Sequence, residues 1–325
     1  MLAALSGICN GLFTTPMKVI SVWKWENIWF VFIVVSCVLM PVCVAAGSVG
    51  DWIGLLHAAP IGAKAAALIF GFLWGFGAIC FGLSVDRLGV SMANSLVIGL
   101  SSALGSVVPL LLSSTLRLGS REIALLASIA AFLIGVVLCG AAGRMRDTGA
   151  GGGRGRAVPG GYLFAVGAGI MSAIFNVGYT LALPIADAGV RLGHSRFAAT
   201  NCIWVLMLGA GAIPNLAYCF FLMRKNATAP LFREARGRSF TLAAAMGLLW
   251  GGSIFLYGAA TPLLGDIGPS VGWPLSLAVG LLVANLMGIG LGEWRGAVNG
   301  AVQRMTAGIV CLVAAIGLCA VSTRL

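Results

Sequence analysis

Side chains able to hold a small polar molecule are scattered through long apolar runs of this 325-residue chain. Asn10, Thr14, Asn94, Asn176, Tyr179, Asn201, Ser253 and Asn285 offer hydrogen-bonding groups, and Trp74, Trp250, Tyr257 and Trp273 offer flat aromatic faces. A compact ligand with hydroxyls around its edge and C–H groups on its faces needs both kinds of surface. Ser, Thr and Asn in apolar helices also have a plainer use, as interhelical hydrogen bonds worth about 0.6 kcal/mol each. Moving a proton requires a group whose charge can change, and a charge at the centre of a membrane helix costs about 2.5 to 3.5 kcal/mol. No acid lies mid-run; Lys18, Glu26, Asp187 and Glu293 stand at the ends of apolar runs and are the proton-coupling candidates, while His57 and His194 fall in loops. Each is equally a helix-end charge that water can solvate.

These residues must be positioned by membrane helices. The chain is 60% hydrophobic and only 9% charged, with a mean hydropathy of +1.03, which excludes a water-soluble domain. Cutting it at charged residues leaves ten uncharged stretches of at least 17 residues: Met1 to Met17, Asn27 to Gly50, Ala65 to Val85, Leu88 to Leu116, Ile123 to Gly143, Ala157 to Ala186, Phe197 to Met223, Ser239 to Gly265, Ile267 to Gly292 and Met305 to Thr323. Such lengths cross a hydrocarbon core of roughly 30 Å as helices. The unbroken runs lack the alternation of a membrane barrel. The expected fold is therefore all-α and integral to the membrane, with ten transmembrane helices. Trp52 to Ala63 is too short to span and is placed at the interface, as is an aromatic belt of Trp23, Trp25 and Trp29.

If the amino terminus is outside, fourteen of the 20 Lys and Arg residues fall in inner loops and six outside, so both termini are predicted outside the cytoplasm. The net charge of +11 then reports topology and attraction to anionic lipids. Basic residues split among short loops form no nucleic-acid stripe. Nine cysteines sit singly, with no C-x-x-C spacing, and predict no disulfide framework, metal or cofactor.

The stretch GFLWGFGAICFGLSVDRLG (Gly71 to Gly89) returns as GLLWGGSIFLYGAATPLLG (Gly247 to Gly265). The copies are expected spans three and eight; an odd offset reverses the second copy in the bilayer. SGICNGLF (Ser6 to Phe13) is matched by AGIMSAIF (Ala168 to Phe175), and LGVS (Leu88 to Ser91) by IGPS (Ile267 to Ser270). The order of the matches predicts two inverted five-helix repeats, 1–143 and 161–325, joined by a Gly/Arg-rich cytoplasmic linker, 144–160. Glycines at spacings of four and seven in the first pair of copies share a helix face and predict close packing. No strand and no Gly-Lys-Ser/Thr ending accompany the glycine-rich linker, so ATP-driven transport is not indicated. Paired acids or a His-Glu-x-x-His motif for a membrane enzyme are also missing. Inverted halves point to a secondary transporter working by alternating access.

The chain also resembles the L-rhamnose–proton symporters of the drug/metabolite transporter superfamily over nearly its whole length. The resemblance rests on FTTPMK (Phe13 to Lys18), WKWENIW (Trp23 to Trp29), GFLWGFGAICFGL (Gly71 to Leu83) with LGVSM (Leu88 to Met92), GAGAIPNLAYCF (Gly209 to Phe220), GLLWGGSIFLYG (Gly247 to Gly258) and GIGLGEW (Gly288 to Trp294). It implies ten helices and proton-coupled uptake of a deoxysugar, L-rhamnose, across a bacterial inner membrane. An exporter of amino acids or other metabolites from the same superfamily is the alternative. The middle of span eight, GGSIFLYG, is poorer in polar side chains than a sugar site of that family leads one to expect.

Overall fold

The structure is a computed structural model and describes residues 1–88, 90–112, 119–149, 159–234, 237–265, 268–290, 292 and 294–322. Among these residues every regular element is a helix. The long ones are α1 (Leu2–Leu12), α2 (Trp25–Val49), α3 (Ile61–Leu88), α4 (Val90–Leu112), α5 (Ser120–Gly149), α6 (Pro159–Arg191), α7 (Arg196–Lys225), α8 (Gly237–Ala260), α9 (Gly268–Gly290) and α10 (Asn299–Ser322). Eight of them, all except α1 and α4, are long and apolar enough to cross a membrane. Their outward faces stay apolar: Leu163 is 74% exposed, Val137 65%, Val310 62% and Ile213 60%. In water such a surface would drive aggregation; against lipid tails it is at home. The chain is an all-helical, multi-pass membrane protein.

The two remaining helices occupy expected places but differ in extent. The first stretch is α-helical for only 11 residues, because Pro16 opens a 3-10 turn, Thr15–Val19, in which the missing N–H of proline removes a helical bond. The fourth is helical over Val90–Leu112, and its part Ser95–Leu111 is apolar. The expected linker is also partly helical: α5 runs on through Arg144 to Gly149, so residues 144–149 continue a helix rather than a flexible segment, and 150–158 lie outside the described residues. Trp52–Ala58 is a separate short helix, begun by Asp51, whose carboxylate accepts from Gly54 N at 2.8 Å.

Packing follows the glycines. α3 lies on α6 and α7, and α8 on α1 and α2; α1 packs on α9, α6 on α4, and α5 on α10. A Cβ at Gly71 would meet Met207 O at 2.2 Å and one at Gly75 would meet Gly211 O at 2.5 Å, both on α7. A Cβ at Gly247 would lie 2.8 Å from Val35 Cβ and one at Gly251 2.6 Å from Met40 S, both on α2. Only hydrogen fits at these crossings, and the close backbone approach is what the glycine spacing predicted. The α2 wall they meet contains a π-helical segment, Val34–Leu39, an insertion that re-aims side chains and recurs at functional sites.

Candidate functional site

The close approach of α3 and α8 to the middle of the bundle brings Trp74 and Trp250 together. Their rings stack with centroids 5.3 Å apart and planes 13° from parallel. They form part of the wall of a cavity of about 150 Å³, completed by Phe13, Trp29, Phe32, Phe81 and Ser172 with Gly77, Ala78, Val97 and Ala168. Five helices, α2, α3, α4, α6 and α8, contribute to this wall, with Phe13 from just beyond α1. The lining is aromatic on most sides, with one hydroxyl side chain, Ser172, whose Oγ accepts from Ser101 Oγ at 2.9 Å and keeps its own proton to donate.

The wall is held by hydrogen bonds outside it. Trp29 Nε1 donates to Asn215 Oδ1 at 3.1 Å, while Asn215 Nδ2 donates to Gly75 O at 3.1 Å and Gly211 O at 3.0 Å. Asn215 follows Pro214 in α7, and this fully buried amide therefore ties α2, α3 and α7 at one point. Phe32 packs against Phe13, Trp29 and Trp250. Trp29 was expected in an interfacial belt with Trp23 and Trp25, and the structure corrects this: Trp29 lines the cavity, and Trp23, 4% exposed, is edge-on to Phe232 and Phe240 and donates to Leu231 O at 3.1 Å. A tryptophan near a helix start reads as interfacial unless the partner helices that cover it are known.

Asn176, Tyr179, Tyr257 and Trp273 also come together, but away from the cavity wall. Tyr257 OH donates to Asn176 Oδ1. Asn176 Nδ2 donates to Gly105 O at 2.6 Å and Pro269 O at 3.1 Å. Tyr179 OH meets Thr261 Oγ1 at 2.5 Å, and Thr261 Oγ1 donates to Gly258 O at 3.1 Å. Trp273 Nε1 donates to Ser101 O at 3.2 Å and its ring is edge-on to Tyr257. Trp204, absent from the sequence-based candidates, stacks on Tyr179 at 4.7 Å and 3°. Asn176, Tyr179, Tyr257 and Trp273 find hydrogen-bond partners here, the Trp204 indole N–H does not, and none of the five lines the cavity.

The other candidates are dispersed. Ser253 is buried and its hydroxyl donates to Trp250 O at 2.6 Å, while Ser253 O accepts from Ser6 Oγ at 2.7 Å. Asn201 Nδ2 donates to Ser48 Oγ at 3.1 Å, joining α7 to α2. Asn10 lies on α1 near Gly280 of α9, Thr14 is exposed, and Asn285 lies in α9 beside Cys139 of α5. The side chains of Asn94 and Lys18, and Glu293 altogether, lie outside what the structure describes. Among the charged candidates, Asp187 is paired with Arg196, the two side chains 41% and 47% exposed, which is a surface ion pair. Glu26 differs: it is 4% exposed, and its Oε1 accepts from Asn226 Nδ2 at 2.9 Å and Thr228 Oγ1 at 2.8 Å.

Phe13, Phe32, Phe81, Ser172 and Asn215 were not singled out from the sequence. Phe13 and Ser172 carried a signal, since both fall in the SGICNGLF and AGIMSAIF pair; the others carried none beyond membership of the quoted motifs or of an apolar run.

The model of the L-rhamnose-proton symport protein (RhaT) matches residues 1–323. The chain belongs to that family. A member named L-rhamnose-proton symporter from Klebsiella pneumoniae (strain 342) is 27% identical over 329 residues, covering 97% of this chain and 94% of the relative. The L-rhamnose-proton symporter of Salmonella enteritidis PT4 is 27% identical over 330 residues at the same coverage. That of Citrobacter koseri is 26% identical over 326 residues, again at 97% and 94%. The L-rhamnose-proton symport protein family thus accounts for the whole described bundle, with the aromatic cavity and the network beside it inside the matched region.

Proposed function

We propose that this chain carries L-rhamnose inward together with protons across a bacterial inner membrane, acting as a secondary transporter and not as an enzyme. The observation that carries the site assignment is the stacked Trp74–Trp250 pair in the wall of the central cavity. A pyranose ring presents C–H faces that suit indole planes, and a deoxysugar adds a methyl group that suits Phe13, Phe32 and Phe81. Ser172 is placed to donate to a sugar hydroxyl. The poverty in polar groups noted in span eight fits a substrate that lacks one hydroxyl.

In this reading all ten long helices cross the membrane, in two inverted repeats, 1–143 and 161–325, joined through 144–160, with both termini outside the cytoplasm. α4, at 23 residues, is about 34 Å long and reaches across the core. Exchanging α1–α5 for α6–α10 maps several of the largest packing pairs onto one another: α3 on α6 becomes α8 on α1, α3 on α7 becomes α8 on α2, α4 on α6 becomes α9 on α1, and α5 on α10 returns itself, while α6 on α7 has no counterpart of similar extent in α1 on α2. That partial correspondence supports a duplication. The glycine-lined crossings of α3 with α7 and of α8 with α2 are surfaces across which the repeats can rock to expose the cavity alternately.

For the proton we assign Glu26, the one charged side chain that is buried among the described residues. Asp187 is engaged at the surface. The test of the whole reading is uptake: right-side-out vesicles carrying this protein should accumulate labelled L-rhamnose under an inward proton gradient, and a protonophore should abolish accumulation. Absence of rhamnose uptake with uptake of a different metabolite would overturn the substrate.

A further inference from the structure

The polar network beside the cavity joins four helices. Through Asn176 alone, α6 is bonded to Tyr257 of α8, Gly105 O of α4 and Pro269 O of α9. Tyr179 and Thr261 add a second tie between α6 and the end of α8, and the rings of Phe175, Trp204 and Trp273 fill the space between these bonds. Asn176 and Tyr179 are 0% exposed and Tyr257 is 1% exposed. Tyr257 follows Trp250 by seven residues on α8, about 10 Å along the axis, and Asn176 follows Ser172 by four residues on α6, about 6 Å. The network therefore closes the bundle on one side of the Trp74–Trp250 pair, and the cavity wall on the other side reaches Phe81.

The repeat register shows what stands at the opposite end. Setting Trp250 on Trp74 sets Tyr257 on Phe81 and Thr261 on Val85; setting Phe175 on Phe13 sets Asn176 on Thr14 and Tyr179 on Met17. Of these counterparts only Thr14 carries a polar side chain, and Phe81 has no hydroxyl to give it. Among the described side chains these counterpart positions form no network of their own; the polar ties near that end, Trp29 to Asn215 and Glu26 to Asn226 and Thr228, hold α2 to α7 and its following turn. Closure past Tyr257 adds directional bonds that are strong where water is excluded.

We infer that Asn176 and Tyr257 are positioning residues of the transport cycle: a polar latch that holds their end of the cavity shut and, having no counterpart at the Phe81 end, biases the empty protein toward the state open past Phe81. This rests on the alternating-access reading proposed above. Under the topology proposed there, the latch is on the outer side and the resting state faces inward.

The test is hydrogen–deuterium exchange on the full chain in lipid nanodiscs, comparing wild type with Tyr257→Phe, which removes one hydroxyl and keeps the ring. Loss of one such bond shifts the closed-to-open ratio about three- to tenfold. Amides at 255–264 and 268–274 should exchange faster, and amides at 26–33 and 77–84 slower. The double change Thr14→Asn with Phe81→Tyr, which supplies a matching latch, should shift exchange in the same two directions. Unchanged exchange at both ends, or faster exchange at both, would overturn the latch. A second arm measures half-saturation by labelled L-rhamnose on right-side-out and inside-out vesicles: in Tyr257→Phe it should fall on the outer face and rise on the inner, whereas a merely structural defect weakens both. If rhamnose binds neither protein the substrate reading fails while the exchange pattern still decides the latch. If rhamnose accumulates normally but the opposed exchange pattern is missing, the latch fails and transport stands.

Discussion

Trp74 and Trp250 occupy the same place in two copies of one glycine–tryptophan segment, and the fold lays their indoles on each other with centroids 5.3 Å apart. Two tryptophans set in similar sequence thereby meet in the wall of the cavity. The pair is worth about 0.5 to 1.5 kcal/mol beyond its area burial, and it leaves aromatic surface free for a ligand.

Replacing Trp250 by Ala should weaken L-rhamnose binding about tenfold or more, and Trp250→Phe should recover part of the loss. Equilibrium binding of labelled sugar to the purified protein checks this; equal affinity for both variants and wild type would remove the pair from the site.

Glu26→Gln keeps the shape of the side chain and removes its charge. Proton-driven accumulation of rhamnose should be lost, while counterflow of labelled against unlabelled sugar, which needs no net proton movement, should persist. Loss of both would make Glu26 a tether for the Asn226–Thr228 turn rather than the coupling group.

Gly71→Ala should lower the thermal midpoint in detergent, because its methyl group would sit 2.2 Å from Met207 O and overpacking of this kind costs about 1 to 3 kcal/mol. Gly167→Ala meets nothing within 4 Å and should leave the midpoint unchanged or slightly raised.

Asn215→Leu removes the hydrogen bonds to Trp29, Gly75 and Gly211. Leaving the Trp29 N–H unpaired in the core should cost about 1 to 3 kcal/mol and release the indole, so both stability and sugar affinity should fall. A variant as stable as wild type would show that water replaces the amide.

Asp187→Asn should behave as wild type in both stability and transport, since the pair it breaks with Arg196 is exposed and such pairs contribute about 0 to 1 kcal/mol. A large loss of proton-coupled uptake would instead return Asp187 to the coupling candidates.

Helical membrane architecture was legible in the sequence because it depends on run length: the apolar stretches are too long and too continuous for anything but membrane helices, and the chain folds as helices there. Glycine spacing was legible for the same kind of reason, since residues four and seven apart share a face whatever that face meets. The pairing of Trp74 with Trp250 could be anticipated only through the repeat. Which polar side chains face the cavity was not legible. Asn176, Tyr179 and Tyr257 have the chemistry of a sugar site, yet they direct it into the protein, because side chains of α6 and α8 reach one another in the buried interior.

The sequence by itself determined that the chain lives in a bilayer and that small residues let certain helices touch; these follow from hydropathy and periodicity, which are properties of one segment at a time. Only the tertiary structure decided that Trp29 belongs to the cavity, that Glu26 is buried, and that the candidate ligand-binding amide and phenols bond within the protein. Those outcomes depend on which helix covers which face, and burial or hydrogen bonding between distant segments is not a property of either segment alone.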